Sequence, residues 1–377
     1  MNDRLRAGGP DYNRCLVNLS NSILKNFGAE TTASTLDIAD RYLDKGYKNV
    51  IVLLLDAMGE SIVKKHLKED GFFRSHMVDT YSSVYPPTTV AATTSLLSGL
   101  YPNEHGWLGW DVYYPQIDKN VTVFRNFEQI TEETVESEPV QAADYNVANK
   151  YMPYKQIQTK ISEAGSRGST SMPYMEPYPK TFDDVLARAK NLCEDPGRQF
   201  VYIYWDEPDS TLHRTGTMSD ESHAVLVDIE DKVKEWAAGL SDTLLFVTAD
   251  HSHIDSKNLC LMDYPEVLDC LVRMPSLEPR TMSFFVKEEY QKAFPEIFRR
   301  NFGKDFILLT REEVLKEKLF GPGKDRPGLS DSIGDYVALA TSDTSIYITH
   351  KGAQTMPGAH AGLTAEESRI PLIVVES

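Results

Sequence analysis

The feature that most limits how this chain can fold is a set of short, unbroken apolar runs: NVIVLLLD (49–56), FVYIYW (200–205), LLFVTAD (244–250) and PLIVVE (371–376). None shows the in/out alternation of a half-exposed strand, so each reads as a strand buried on both faces, as in a parallel sheet covered by helices. Between them lie NLSNSILKNFG (18–28), TLDIADRYLDKG (35–46), KTFDDVLARAKNLCE (180–194) and ESHAVLVDIEDKVKEWAAGL (221–240), with apolar residues at helical spacing. The alternation predicts an α/β fold with a mostly parallel central sheet and helices on both faces.

At 377 residues the chain exceeds one average domain of ~150. The run RTMSFFVK, EEYQKAFPEIFRRNFG, FILL, TREEVLKEKLFG predicts a small inserted α/β subdomain over 265–330, with 1–264 and 331–377 forming the catalytic core. Residues 107–180, rich in Tyr, Trp, Pro and Met, read as long connections. Four scattered cysteines, Cys15, Cys193, Cys260 and Cys270, read as reduced, buried thiols.

Thirty-nine basic against 56 acidic residues leave a net charge of −17, which argues against a nucleic acid polymer as partner but permits a small phosphate ester beside a metal. The longest aliphatic run, Val50 to Leu55, is far shorter than the ~18–20 residues of a membrane span, so no membrane partner is expected. The opening MNDRLRAGGPDYNRC lacks the apolar stretch of a secretory signal, and a cytoplasmic location is the expectation. Oligomeric state is open.

Asp56 follows VIVLLL, Asp209 and His213 follow FVYIYWDEP, and Asp250 and His251 follow LLFVTA. Ligands of open α/β sheets bind beyond the carboxyl ends of the strands, so these groups can converge, and converging carboxylates and imidazoles imply metal. Asp209 and His213 are one helical turn apart. In SVYPPTTVAATTSLLSGLYPNEHGW (83–107) a helix begins at Thr88 or Thr89, where a hydroxyl would meet unpaired N–H groups and the positive dipole end, a setting that suits phosphate.

The succession LLLDAMG, PTTVAATTSLLSGLYPNEHG, WDEPDSTLHRTG, TADHS and GAHAG resembles the alkaline phosphatase superfamily, and most closely its type I phosphodiesterase/nucleotide pyrophosphatase branch. The resemblance implies two divalent ions, Zn²⁺ first and Mn²⁺ second, one held by Asp209, His213 and His360 and the other by Asp56, Asp250, His251 and the nucleophile. Counting back from Gly99, the nucleophilic threonine falls on Thr89, which would form a phosphothreonine intermediate. Two ions roughly 4 Å apart can bind the attacking and the leaving oxygen of an in-line displacement.

The pattern departs from the branch after Thr89. Where the branch commonly has Thr-Phe-Pro-Asn, this chain has Val90, Ala91 and Ala92, and the surrounding sequence offers no Arg in compensation. Diester or pyrophosphate bonds of nucleotide-like molecules are the expected substrates. A phosphomonoesterase, a phosphomutase of the same superfamily and, last, a non-enzymatic metal-binding protein are the alternatives. Trp107, Trp110 and Tyr113, with Tyr114, could stack a nucleobase or pack in a core. His105 reads as structural, His253 as either a neighbour of the site or exposed, and His66, His76, His223 and His350 as surface residues.

Overall fold

A computed structural model describes residues 9–377. Its central six-stranded sheet runs in the order Met77–Ser82, Arg369–Glu376, Thr243–Thr248, Asn49–Leu55, Gln199–Trp205, Arg167–Ser171. Asn49–Leu55 lies parallel to both of its neighbours, and its seven residues are all buried, as the unbroken apolar run requires. All four apolar runs are strands of this sheet. PLIVVE differs from expectation in direction, because Arg369–Glu376 is antiparallel to Met77–Ser82 and Thr243–Thr248, which makes the sheet mixed. Its register slips between Leu372 and Ile373, just after Pro371, which has no N–H to give to a ladder.

The helices Leu16–Asn26, Phe182–Glu194 and Asp220–Ala237 share one apolar core with these strands. Thr181 and Ser219 accept from the N–H three residues on and so cap the last two helices. Among the described residues no helix is long and apolar enough to cross a membrane. The four cysteines are free and buried.

A second, antiparallel sheet of seven strands runs Phe306–Thr310, Tyr336–Ala340, Thr281–Phe284, Ser276–Glu278, Asp111–Tyr114, Lys119–Thr122, Phe127–Glu128. It therefore takes strands from both sides of the 265–330 segment, Tyr336–Ala340 pairing with Thr281–Phe284 and Phe306–Thr310, and Asp111–Tyr114 meeting Leu277. The reading of 107–180 as connections is corrected here: three short strands form between 111 and 128. Their alternating buried and half-buried residues, as in Asp111–Tyr114, fit the edge half of an antiparallel sheet.

Candidate active site

Three adjacent strands deliver the acidic groups. Asp56 follows Asn49–Leu55, Asp250 and His251 follow Thr243–Thr248, and Asp209 opens the helix Asp209–Thr215 beyond Gln199–Trp205. Because these strands are parallel neighbours, their carboxyl ends coincide. The Asp209 N–H donates to Asp56 O at 3.2 Å, and the Ala57 N–H to Asp250 Oδ1 at 3.0 Å. His360 arrives from a separate segment, since Gly358–Ala359 pairs with Ile254–Asp255 and brings its ring to 3.9 Å, centroid to centroid, from that of His251.

The backbone bends sharply at two of these positions. Ala57 and Ala361, each next after a candidate ligand, have φ of 61° and 79°, a left-handed conformation that costs roughly 1–2 kcal/mol for a residue with a Cβ. Gly59 allows the turn after Asp56 to close on the 250–253 segment, because a Cβ there would lie 2.0 Å from Ser252 Cβ.

Thr89 is the first residue of the helix Thr89–Ser98, and Thr88 is its N-cap. Thr89 Oγ1 lies 3.4 Å from Asp56 Oδ1 and 3.2 Å from His251 Nε2. Thr88 turns elsewhere, its hydroxyl donating to the buried Glu278 Oε1 at 2.6 Å. Tyr204 Oη donates to the other oxygen of Asp56.

Two groups of ligand atoms lie side by side, each within 4.8 Å internally: Asp56, Asp250 and His251, and Asp209, His251, His253 and His360. His213 stands against the second group, with Nε2 3.5 Å from Asp209 Oδ1 and its ring 4.4 Å from that of His253. His213 Nδ1 is held by Gly358 O at 2.8 Å and His360 Nδ1 by Pro87 O at 3.2 Å, which leaves the Nε2 atoms of both free to bind a cation. His253 is wired the other way, with Nε2 2.7 Å from Asp209 Oδ1 and Nδ1 buried without a partner.

Electrostatics marks the same centre. Burial, with Asp250 and Asp209 nearby, pushes the Asp56 carboxyl well above the usual carboxylate range, and burial also raises Asp250. Burial opposes ionisation of Asp209 too, but His213, His253 and His360 outweigh it and hold that carboxyl far below the usual range. Burial and the neighbouring His213 lower His253 to about 3, while burial and His251 hold His360 well below the usual imidazole value. The donor set fits divalent cations: mixed carboxylate and imidazole, with the buried Asp250 Oδ2 lacking any hydrogen-bond partner. A cation bound there would offset the negative charge that burial disfavours on Asp56 and Asp250.

Every ligand position named from the sequence, Asp56, Thr89, Asp209, His213, Asp250, His251 and His360, lies in this one cluster. His253, left open by the sequence, belongs with them. Its signal was the i, i+2 spacing from His251 in TADHSH. The aromatic positions separate. Trp107 takes the core alternative, since it is buried and its indole N–H donates to Met152 O at 2.8 Å. Tyr113 is packed on Phe285 and Arg273. Trp110 keeps an exposed face, with Arg125 5.7 Å from its ring. His105 is structural as expected: it is buried, accepts from Trp107 N–H at Nδ1 and lies 3.0 Å from Ser95 Oγ. His350 is partly exposed and paired with Glu132 and Asp263.

Comparison with known proteins identifies the family and the fold. The family model for type I phosphodiesterase / nucleotide pyrophosphatase matches residues 50–362. Ectonucleotide pyrophosphatase/phosphodiesterase family member 3 of Rattus norvegicus is 23% identical over 244 residues, covering 62% of this chain but only 26% of the relative. The Mus musculus counterpart is 23% identical over 242 residues, with the same coverage. Among solved structures, human ectonucleotide pyrophosphatase/phosphodiesterase 5 superposes with a TM-score of 0.65 at 16% identity, covering 87% of each chain. The murine protein, as an inactive threonine-to-alanine variant in complex with AMP, gives a TM-score of 0.64 at 18% identity over 86% of this chain and 87% of that one. Phosphonoacetate hydrolase from Sinorhizobium meliloti 1021, in complex with phosphonoformate, gives 0.62 at 16% identity over 86% and 89%. At these identities the superpositions show a shared α/β fold with a mixed central sheet. The match across residues 50–362 decides the family: the chain belongs to the type I phosphodiesterase/nucleotide pyrophosphatase family of the alkaline phosphatase superfamily, a family of hydrolases acting on phosphoric ester bonds.

Proposed function

We propose that this protein is a two-metal phosphoesterase that hydrolyses phosphodiester or pyrophosphate bonds of nucleotide-like small molecules through a phosphothreonine at Thr89. The observation that carries this reading is the position of Thr89 Oγ1 at a helix N-terminus, 3.4 Å from Asp56 Oδ1 and 3.2 Å from His251 Nε2. Asp209, His213 and His360 would hold one ion, and Asp56, Asp250 and His251 the other, with Zn²⁺ matching the donors best. When bound, such ions supply Lewis-acid stabilisation of phosphoryl oxygens and lower the pKa of a nearby hydroxyl.

The chain's own groups do the rest. The N–H groups at the start of Thr89–Ser98 and the positive end of its dipole favour an anionic phosphoryl group beside Thr89. The polar neighbours of the hydroxyl, Asp56 and His251, would both hold an ion, and the hydroxyl proton passes to solvent. Thr89 Oγ1 bonds to phosphorus as the bond to the leaving oxygen breaks. The leaving oxygen takes a proton from solvent, and water then attacks the phosphothreonine, which still carries the nucleoside, freeing Thr89 and the nucleoside monophosphate. His253, with Nε2 on Asp209 Oδ1, positions that carboxylate.

Binding of AMP by the murine relative and its inactive threonine-to-alanine form support the substrate class and the threonine. Val90, Ala91 and Ala92 are apolar and fully buried, so none offers a polar side chain where the branch commonly has Thr-Phe-Pro-Asn. A panel of p-nitrophenyl phosphate, bis-p-nitrophenyl phosphate and a nucleotide p-nitrophenyl ester on zinc-loaded protein tests the preference. Highest kcat/KM on the nucleotide ester supports this reading, whereas preference for the monoester would replace it with a phosphomonoesterase. A cytoplasmic location is part of the proposal, supported by four free cysteines; the matched relatives are named as ectonucleotide enzymes, and cell fractionation decides between the two.

A further inference from the structure

Away from that centre, three segments bring a thiol, an imidazole and a carboxylate together. Cys260 ends the strand Lys257–Cys260, His350 opens the helix His350–Thr355, and Glu132 comes from the connection after the second sheet's edge. One ligand atom from each lies within 4.8 Å of the other two. His350 Nδ1 is 2.9 Å from Glu132 Oε1, and its backbone N–H donates to Glu132 Oε2 at 2.8 Å. Its other ring nitrogen, Nε2, is 3.2 Å from Asp263 Oδ1.

An imidazolium between two carboxylates would account for His350, Glu132 and Asp263. It leaves Cys260 without a role, although the residue is only 4% exposed and its sulfur faces the same cluster. A neutral thiol is a weak hydrogen-bond partner for either acid, but a strong metal ligand once deprotonated.

We propose that Cys260, His350 and Glu132 form a peripheral site for a divalent transition-metal ion, Zn²⁺ by donor type, with Asp263 fixing the histidine ring from its far side. The mixed S, N and O donors suit zinc. A carboxylate on the second nitrogen of a ligating histidine is the arrangement that sets ring orientation in such sites. The His350 side chain is 43% exposed, so water can complete the coordination. On binding, the thiol and any imidazolium release their protons to solvent and the ion takes their place. The ion would tie the connection carrying Glu132 to the strand and helix beneath it, a link now supplemented by Lys351 Nζ to Glu136 Oε1 at 3.0 Å. This site does not depend on the proposed phosphoesterase activity.

None of the donors in the catalytic cluster is sulfur, so titration with Co²⁺ separates the two sites. A thiolate–Co²⁺ charge-transfer band in the near ultraviolet is expected from the intact protein. It should vanish in Cys260→Ser and weaken strongly in His350→Ala, each variant binding one equivalent less Co²⁺ while keeping phosphoesterase activity. His350 is partly exposed, so its variant keeps the test valid if Cys260→Ser folds poorly. No band from the intact protein, or a band that survives in Cys260→Ser, would overturn the assignment and leave His350 as an ion-pair partner only.

Discussion

Arg280 and Glu367 form a fully buried ion pair, Nε to Oε1 at 2.7 Å and Nη2 to Oε2 at 2.8 Å, that joins the second sheet to the segment carrying His360. The same carboxylate accepts from the Gly362 N–H and the Thr364 hydroxyl, and the Glu367 carbonyl accepts from the Ser252 N–H. Glu367 thus holds both the 250–253 and the 360–364 segments. Glu367→Ala would strand the Arg280 charge in the core at a cost of about 3–5 kcal/mol. Urea unfolding measures this, and a variant as stable as the parent would show that the pair is not a structural clamp.

Removal of metal should abolish activity and lower stability together. Six ionisable groups proposed as ligands converge at the carboxyl ends of the central strands, and ions that bind only the folded state stabilise it by about 4 kcal/mol at a thousand times Kd. Melting curves with and without chelator, paired with elemental analysis, provide the check. Full turnover by metal-free protein contradicts the two-metal reading.

His360→Ala should empty one ion site and leave the other occupied, because its ring belongs with Asp209 and His213 in the proposed assignment. His253→Ala should weaken the same site less completely, by roughly 10–100-fold in affinity, as expected for a residue that orients a ligand. Metal counting on both variants tests the assignment. Simultaneous loss of both ions in His253→Ala would mean that this histidine is itself shared between them.

Glu278 supplies a pH dependence. Burial raises its carboxyl to about 8 even though Thr88 Oγ1 and the Trp110 N–H both donate to it. The folded state then holds a proton that the unfolded chain, with an ordinary glutamate near ~4.3, releases earlier. Stability from this group is complete below the unfolded value and declines as pH rises toward about 8. Glu278→Gln should flatten the decline in urea midpoint between mildly acidic and mildly alkaline pH. An equal decline in parent and variant would assign the effect to other groups.

The sheet was legible where burial on both faces leaves a continuous apolar run, as in Val50–Leu55. The two edge strands escaped notice because their exposed faces make them polar: Arg167–Ser171 reads RGSTS and Met77–Ser82 reads MVDTYS. The second sheet was harder still: Asp111–Tyr114 pairs locally with Lys119–Thr122, but on its other side it meets Leu277, a pairing no local pattern encodes. Asp56, Asp209 and Asp250 could be found from their places at strand ends. The environment of Trp107 could not, because its burial depends on Tyr154 and Met152, residues some forty-five positions along the chain.

The central claim is that Thr89, and not Thr88, carries the phosphoryl group. Thr88 spends its hydroxyl on Glu278, so Thr88→Ala should lower kcat only by about 10-fold, a loss near 1.4 kcal/mol. Thr89→Ala should cost several orders of magnitude while fold and metals persist. The most direct measurement is to quench the zinc-loaded enzyme with acid during turnover of a nucleotide p-nitrophenyl ester and locate the phosphorylated residue by mass spectrometry. Thr89 carrying the nucleoside monophosphate through its phosphorus, after loss of p-nitrophenol, is the expected result; a label on Thr88, or none together with full turnover by Thr89→Ala, would contradict the mechanism.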